Sequence, residues 1–374
     1  MPHVNKQMAS FFLTTRCNLA CVYCYNREER LQLKEQTLPI EIAKAGVDYF
    51  FSTNPSRHIR FYGPGEPTQA FSLMKEIVVY AREKAGSKVV TTELQTNGCF
   101  SETVREWLLE NLNIIWVSFD GTPAIQNANR PFQSGQPSAP VIEKNVKWLI
   151  DNKGERDIMI GARVTINSAN IQHQQEIIDY FMGLGINYIW CDPLFPSVGD
   201  IPVCEDEKKL KNYTFDMDLY ADEYIKAYRY AQGKGVFYGS FLTCNFDGVC
   251  NQHCRACTPV PHFTTDGYIS ACDLVTFGKS PKHMECFVYG KWNDETKQFD
   301  IDESKVKTLR QRNIYNMPHC SKCEVKEHCG GYCLGEVQNE TGMLLGQKPK
   351  TCSAIRKIAK EIGFSNNPYP YLHP

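Results

Sequence analysis

Three cysteines, Cys17, Cys21 and Cys24, lie in the stretch RCNLACVYCYN at residues 16–26, spaced C-x3-C-x2-C. A tetrahedral metal site or a cubane iron–sulfur cluster ordinarily takes four protein ligands. Three thiolates on a four-iron cubane leave one iron open, the cluster counterpart of the open position on a catalytic metal. A small α-amino-carboxylate chelate would complete it. The other end of the chain is crowded with the same residue. Of 17 cysteines, eleven lie between 244 and 352, and only Cys99, Cys191 and Cys204 separate the two groups. Cys257 is followed by nine residues, Gly267, four residues and Cys272. Further on, CSKCEVKEHCGGYC holds Cys320, Cys323, Cys329 and Cys333, and Cys352 follows after 18 intervening residues. C-x2-C pairs also bind structural zinc, which is the alternative for this half.

The remaining composition is that of an ordinary soluble domain. The chain has 374 residues, 42% hydrophobic and 22% charged, with a formal net charge of −1. That balance argues against nucleic acid, which demands a basic face. The charge runs REER (27–30) and EDEKKLK (205–211) read as solvated surface. No apolar run approaches the roughly 20 residues of a membrane span, and the N-terminus lacks the basic-then-apolar pattern of a signal peptide. A cytoplasmic location is expected. Disulfides are rare there, so ligation is the better use for so many thiols.

Alternating strand and helix patterns would position the first cysteine group. Strands are predicted at 8–14, 57–62, 88–96, 114–120, 158–166 and 186–194, with helices near 38–53, 67–84, 101–111, 138–152 and 170–183. Six β-then-α repeats argue for a parallel sheet covered by helices. A closed eight-strand barrel takes about 250 residues, so the shorter length here predicts an open, partial (β/α)6 barrel over 1–205. A helical bridge is expected over 206–240, starting near Asp206 and Glu207. A small cysteine-rich domain, held more by metal than by apolar core, should fill 241–374.

Parallel α/β folds place their sites at the carboxyl ends of the strands. The first predicted strand runs into the three-cysteine loop, the second into GPGEPT (63–68), the third into TNG (96–98), and the fourth ends in SFDG (118–121). Each segment alone reads as a turn; together they outline one shared site. Ser118 and Asp120 are two apart, which places them on one strand face. In 158–166, Ile158, Ile160, Ala162, Val164 and Ile166 alternate with Met159, Gly161, Arg163 and Thr165. An apolar face turned to the helices puts Arg163 and Thr165 in the lumen, where the arginine meets an anion or a structural carboxylate.

At these residues the chain resembles the radical S-adenosylmethionine (SAM) enzymes, whose signature is the C-x3-C-x2-C spacing. The resemblance implies a [4Fe–4S] cluster on Cys17, Cys21 and Cys24, with SAM bound to the open iron. One electron would split SAM to a 5′-deoxyadenosyl radical that abstracts a substrate hydrogen. It further implies that Tyr23 lies near the adenine and that Gly65 and Glu66 of GPGEP meet the SAM amino group. Pro64 replaces the first glycine of the family's Gly-Gly-Glu-Pro. Ser118, with Asp120 beside it, would lie near the ribose, and Arg163 suits the SAM carboxylate.

The later cysteines look like the SPASM domain of radical SAM enzymes that mature peptides and proteins. This implies two auxiliary [4Fe–4S] clusters, three clusters in all. One would use Cys320, Cys323, Cys329 and Cys352. The other would use Cys257, Cys272, Cys333 and either Cys250 or Cys254. Asp273 matches the catalytic base of the anaerobic sulfatase-maturating enzymes. The implied activity is oxidation or crosslinking of a peptide or protein side chain, with flavodoxin or ferredoxin as reductant. Dehydrogenation of a small alcohol or amine is the alternative, and a non-catalytic zinc or electron-carrier protein a third. Of the family's His-Asp-x-x-Arg pattern after the fourth strand, IQNANRPFQSG keeps only Arg130. Sixteen residues precede Cys17, so a fused leader-binding domain is not expected ahead of it.

Overall fold

The computed structural model describes residues 7–26, 35–195 and 215–364. All six anticipated strands form: β1 (Ala9–Phe12), β2 (His58–Tyr62), β3 (Thr91–Thr96), β4 (Ile114–Ser118), β5 (Met159–Ile166) and β6 (Tyr188–Pro193). They pair in parallel, in sequence order. Helices α1 (Ile40–Thr53), α2 (Phe71–Ala85), α3 (Glu102–Asn111), α4 (Pro123–Asn129), α5 (Ala139–Asn152) and α6 (Gln174–Gly183) fill the crossovers. Helix α3 starts at Ser101, whose hydroxyl accepts from the Val104 N–H at 3.4 Å. The short α4 was not anticipated; Pro123 pre-sets its first turn.

The sheet extends beyond six strands at both edges. β7 (Phe237–Gly239) pairs in parallel with β6, and β8 (His262–Phe263) pairs in parallel with β1. β9 (Tyr268–Ser270), β10 (Val288–Asn293) and β11 (Gln298–Ile301) continue antiparallel from β8. The order is β11-β10-β9-β8-β1-β2-β3-β4-β5-β6-β7, an open sheet whose first turn of chain and cysteine-rich half meet along β1. The apolar core crosses the same seam. Phe263 stacks on Phe11 with ring centroids 5.0 Å apart, and a Cβ added at Gly46 of α1 would stand 3.0 Å from the Phe263 ring. A core this continuous shows that apolar packing, alongside any metal, holds the C-terminal half in place.

Helix α7 (Met217–Gly233) follows, capped by Asp216 accepting from the Asp218 and Leu219 N–H groups. The expected helix start at Asp206 and Glu207 lies outside the described residues. The chain then forms α8 (Glu303–Arg310), α9 (Lys326–Cys329), α10 (Leu334–Thr341) and α11 (Pro349–Ile362). α11 is tied to α7 by Arg229–Glu361 at 2.8 Å and Lys357–Asp222 at 2.6 Å. Among the described residues no helix is long and apolar enough to cross a membrane.

Candidate active site and thiol groups

A cavity of about 280 Å³ opens at the carboxyl ends of the strands. Its wall includes Cys17, Cys21 and Cys24 together with Cys254, Cys272 and Cys333, so one space adjoins thiols from both ends of the chain. Tyr23, Gly65, Glu66, Ser118, Arg163 and Asp273 line it as well.

The loop carrying the first thiols is clamped to GPGEP. The Glu66 N–H donates to the Arg16 carbonyl at 2.7 Å. A Cβ on Gly65 would stand 2.3 Å from that carbonyl oxygen and 2.5 Å from the Thr14 carbonyl. Both obstacles are backbone, so nothing larger than glycine fits. Pro64 is tolerated because the close approaches fall on its neighbours: Gly63, at φ +145°, would place a Cβ 2.9 Å from that of Phe12. We expect Gly65→Ala to weaken SAM binding at least tenfold while the protein still folds; equilibrium dialysis with labelled SAM checks this.

Glu66 is buried. Its Oε1 accepts from the Thr68 N–H, the Thr68 hydroxyl and the Thr96 hydroxyl, and its Oε2 accepts from the Asn97 N–H at 2.7 Å. Burial pushes its carboxyl above the usual range, and these donors pull it back. Oε2 retains acceptor capacity toward the cavity. Asn97 donates to Asn18 Oδ1 at 2.6 Å and reaches Cys17 Sγ at 3.9 Å, which fixes the first cysteine. Burial pushes the Cys21 thiol up to about 12, with Arg130 opposing and Cys24 and Cys17 adding to the rise. A cationic cluster core would offset the burial and the mutual repulsion that oppose ionising Cys21 here.

Asp120 departs from the cofactor-contacting position expected of it. It is fully buried and is not part of the cavity wall. β4 ends at Ser118, and the chain turns through Phe119 to Gly121 at φ +127°, so the two-residue rule no longer applies. Asp120 accepts from the Tyr23 hydroxyl, the Asn129 amide at 3.0 Å and the Thr165 N–H at 3.0 Å, and pairs with Arg130 Nε at 3.2 Å. Arg130 also donates to the Thr165 hydroxyl at 3.1 Å, covers the Tyr23 ring and comes within 3.9 Å of Cys21 Sγ. Asp120 therefore anchors the groups behind the cluster loop.

Arg163 and Thr165 do line the lumen, as the alternation in β5 predicted, while Ile160, Ala162 and Ile166 join the core and Val164 belongs to the core but also borders the cavity. Arg163 already pairs with Asp192 Oδ2 at 2.7 Å. It also lies between the Trp116 and Trp190 rings, at 6.0 and 5.6 Å.

Asp273 follows Cys272, and its side chain is 39% exposed into the cavity. It pairs with Arg60 of β2 and faces His262 of β8 at 3.4 Å. Arg60 donates through Nε to Ser10 of β1 at 2.9 Å. The strand register places His262, Ser10 and Arg60 in one row across three strands. Burial raises the Asp273 carboxyl, but Arg60 and then His262 outweigh it and hold it well below the usual carboxylate range. Burial lowers His262 to about 4, with Arg60 and Arg255 adding to the effect and Asp273 opposing. His262 is then neutral when folded but protonates near its ordinary value when unfolded. Because the unfolded chain binds the extra proton, stability falls as pH drops from about 6.5 toward 4, by about 1.4 kcal/mol per unit. Chemical denaturation at pH 7.5 and 5.5 should show this slope in the native chain and lose it in His262→Phe.

Sequence reasoning missed Arg60, His262, Tyr25, Tyr62 and Arg255, all of which line the cavity. The Tyr25 and Tyr62 hydroxyls bond each other, and Tyr25 also donates to the Asp273 carbonyl at 3.4 Å. Burial first, then the mutual bond and Asp273, keep Tyr25 protonated far above its ordinary value.

The C-terminal thiols gather in two sets. Cys254 shares a hydrogen bond with Cys257, and it interacts electrostatically with Cys272 and Cys333. Cys320, Cys323, Cys329 and Cys352 interact in the same way. The Cys250 N–H bonds the Glu327 carbonyl at 2.7 Å, and Cys244 interacts electrostatically with Cys250, Cys254 and Cys329. Cys333 caps α10, its Sγ accepting from the Glu336 N–H at 3.4 Å. Among the described residues no group of three or more His, Cys, Asp or Glu is gathered tightly enough for a single metal ion. A cubane, being larger, takes thiolates standing farther apart. Cys99 and Cys191 lie in the main core and Cys244 in a smaller one with Trp116 and Trp190, while Cys286 packs against the main core. Cys204 lies outside the described residues.

Residues 11–181 match the family described as the Radical SAM superfamily, so the chain carries a radical SAM domain. Such a domain implies SAM and a [4Fe–4S] cluster. The chain is related to the cysteine-type anaerobic sulfatase-maturating enzyme of Clostridium perfringens, at 23% identity over 85% of each chain. Its fold is that of solved anSMEcpe. With bound AdoMet, that structure gives a TM-score of 0.73 at 16% identity, covering 95% of this chain and 93% of the other. With AdoMet and the Cp18Cys peptide the values are 0.71 and 17%, covering 95% and 96%. Streptococcus suis SuiB bound to its precursor peptide SuiA gives 0.63 at 13% identity, covering 93% and 76%.

Proposed function

We propose that the chain oxidises or crosslinks a side chain of a peptide or protein, starting from hydrogen abstraction in the cavity. The single observation that carries this reading is that one cavity adjoins Cys17, Cys21 and Cys24 as well as Cys254, Cys272 and Cys333, with Asp273 on its wall. The peptides bound by anSMEcpe and SuiB support a peptide substrate here.

Cys17, Cys21 and Cys24 would hold the SAM-binding cluster, their coupled thiols and the clamp at Gly65 fitting that role. Cys254, Cys257, Cys272 and Cys333 would hold one auxiliary cluster, and Cys320, Cys323, Cys329 and Cys352 another. When bound, SAM and the first cluster supply the hydrogen-abstracting radical, and the auxiliary clusters accept an electron. The chain's own residues do the rest. Glu66 Oε2 receives the SAM amino group. Ser118, on the cavity wall, would hold the ribose. Arg163 offers its charge to the SAM carboxylate while Asp192 holds its other side. Asp273, kept anionic by Arg60, takes the proton that the substrate loses.

Anaerobically reconstituted protein, reduced and given SAM with an anaerobic extract of its own cells, tests the proposal. Mass spectrometry should find a peptide or protein two hydrogens lighter. The same shift confined to a small alcohol or amine would overturn it.

A further inference from the structure

We infer that Arg312 is the shared counter-charge of the two C-terminal thiol sets and raises the reduction potential of the iron–sulfur clusters they would carry. The inference rests on the auxiliary-cluster reading above. Arg312 follows α8 and is fully buried. An arginine in a protein keeps its proton, and a charge taken out of water is costly unless it is paired. Yet among the described residues Arg312 has no carboxylate partner. Nη1 donates to the carbonyls of Leu344 and, at 3.4 Å, Gly346; Nη2 donates to those of Gly331 and, at 3.3 Å, Tyr332. Nε has no partner. Carbonyl dipoles satisfy donors, but they leave the full positive charge uncancelled.

The position of that charge suggests what cancels it. Gly331 and Tyr332 belong to the three-residue link between Cys329 of one set and Cys333 of the other. Downstream of Arg312, Ile314 and Met317 pack against Cys320. The guanidinium thus sits against the link that joins the two sets, at one buried point. A four-thiolate cluster is anionic and becomes more so on reduction. A fixed cation beside it stabilises the reduced state, and the low-dielectric surroundings magnify the effect.

The test uses Cys17/Cys21/Cys24→Ala protein, so that only auxiliary centres can be present, reconstituted anaerobically and titrated with EPR detection. Arg312→Gln and Arg312→Met, which remove the charge, are compared with Arg312→Lys, which keeps it. The expected result is an at least tenfold fall in the reduction equilibrium for Gln and Met, 59 mV for one electron, with Lys within threefold of Arg. Loss of iron in Gln and Met but not in Lys also supports the charge requirement. Unchanged potentials in Gln or Met, or a Lys variant that shifts or loses iron as they do, would overturn the inference by making Arg312 only a structural pin. If the Arg312 parent itself binds no iron, the auxiliary-cluster reading fails first and the inference falls with it.

Discussion

Asp273→Asn protein will retain its iron and cleave SAM at the native rate, yet form oxidised product at least about a hundredfold more slowly, the usual range for a lost proton acceptor. Asparagine keeps the shape and can still accept from Arg60, but it cannot take up a proton. In the proposed role, the pairing with Arg60 lets a carboxylate with depressed basicity serve. It guarantees the anionic form throughout the working pH range, and a hydrogen beside a carbon-centred radical is far more acidic than in the parent molecule. Since Asp273 is already ionised, its titration should leave no acid limb in the product rate above pH 4. Product formation within tenfold of native would remove Asp273 from the mechanism, and native SAM cleavage in the same sample shows that the variant is folded.

The second large effect is expected from Cys17, Cys21 and Cys24 replaced together by alanine. Iron should fall by about four atoms, one cubane, and SAM cleavage should be abolished. The protein should stay folded, because these thiols sit on the cavity wall, and the Gly65 clamp and the Asp120–Arg130 pair hold their loop independently. Iron analysis and chromatography of SAM products check both parts. Retained cleavage would mean that another centre supplies the electron.

Part of the site was legible because one strand follows its period closely. In β5 the alternation placed Arg163 and Thr165 in the lumen, as the structure has them. The same logic applies to RHIRFY, where His58, Arg60 and Tyr62 alternate with Ile59 and Phe61, and it would have found Arg60, the partner of Asp273. His262 gave no such signal, since β8 is only two residues long and is a strand only by pairing with β1. Asp120 was misplaced because the strand rule was carried past the strand's end. Spacing could not choose between Cys250 and Cys254; the hydrogen bond between Cys254 and Cys257 is what favours Cys254. The docking of the cysteine-rich half along β1 was illegible for the reason that hid His262.

The most direct measurement is the fate of SAM mixed with the reduced, iron-loaded native chain under strict exclusion of oxygen. The account predicts accumulation of 5′-deoxyadenosine and methionine in equal amounts. SAM left intact by fully loaded, reduced protein would contradict it.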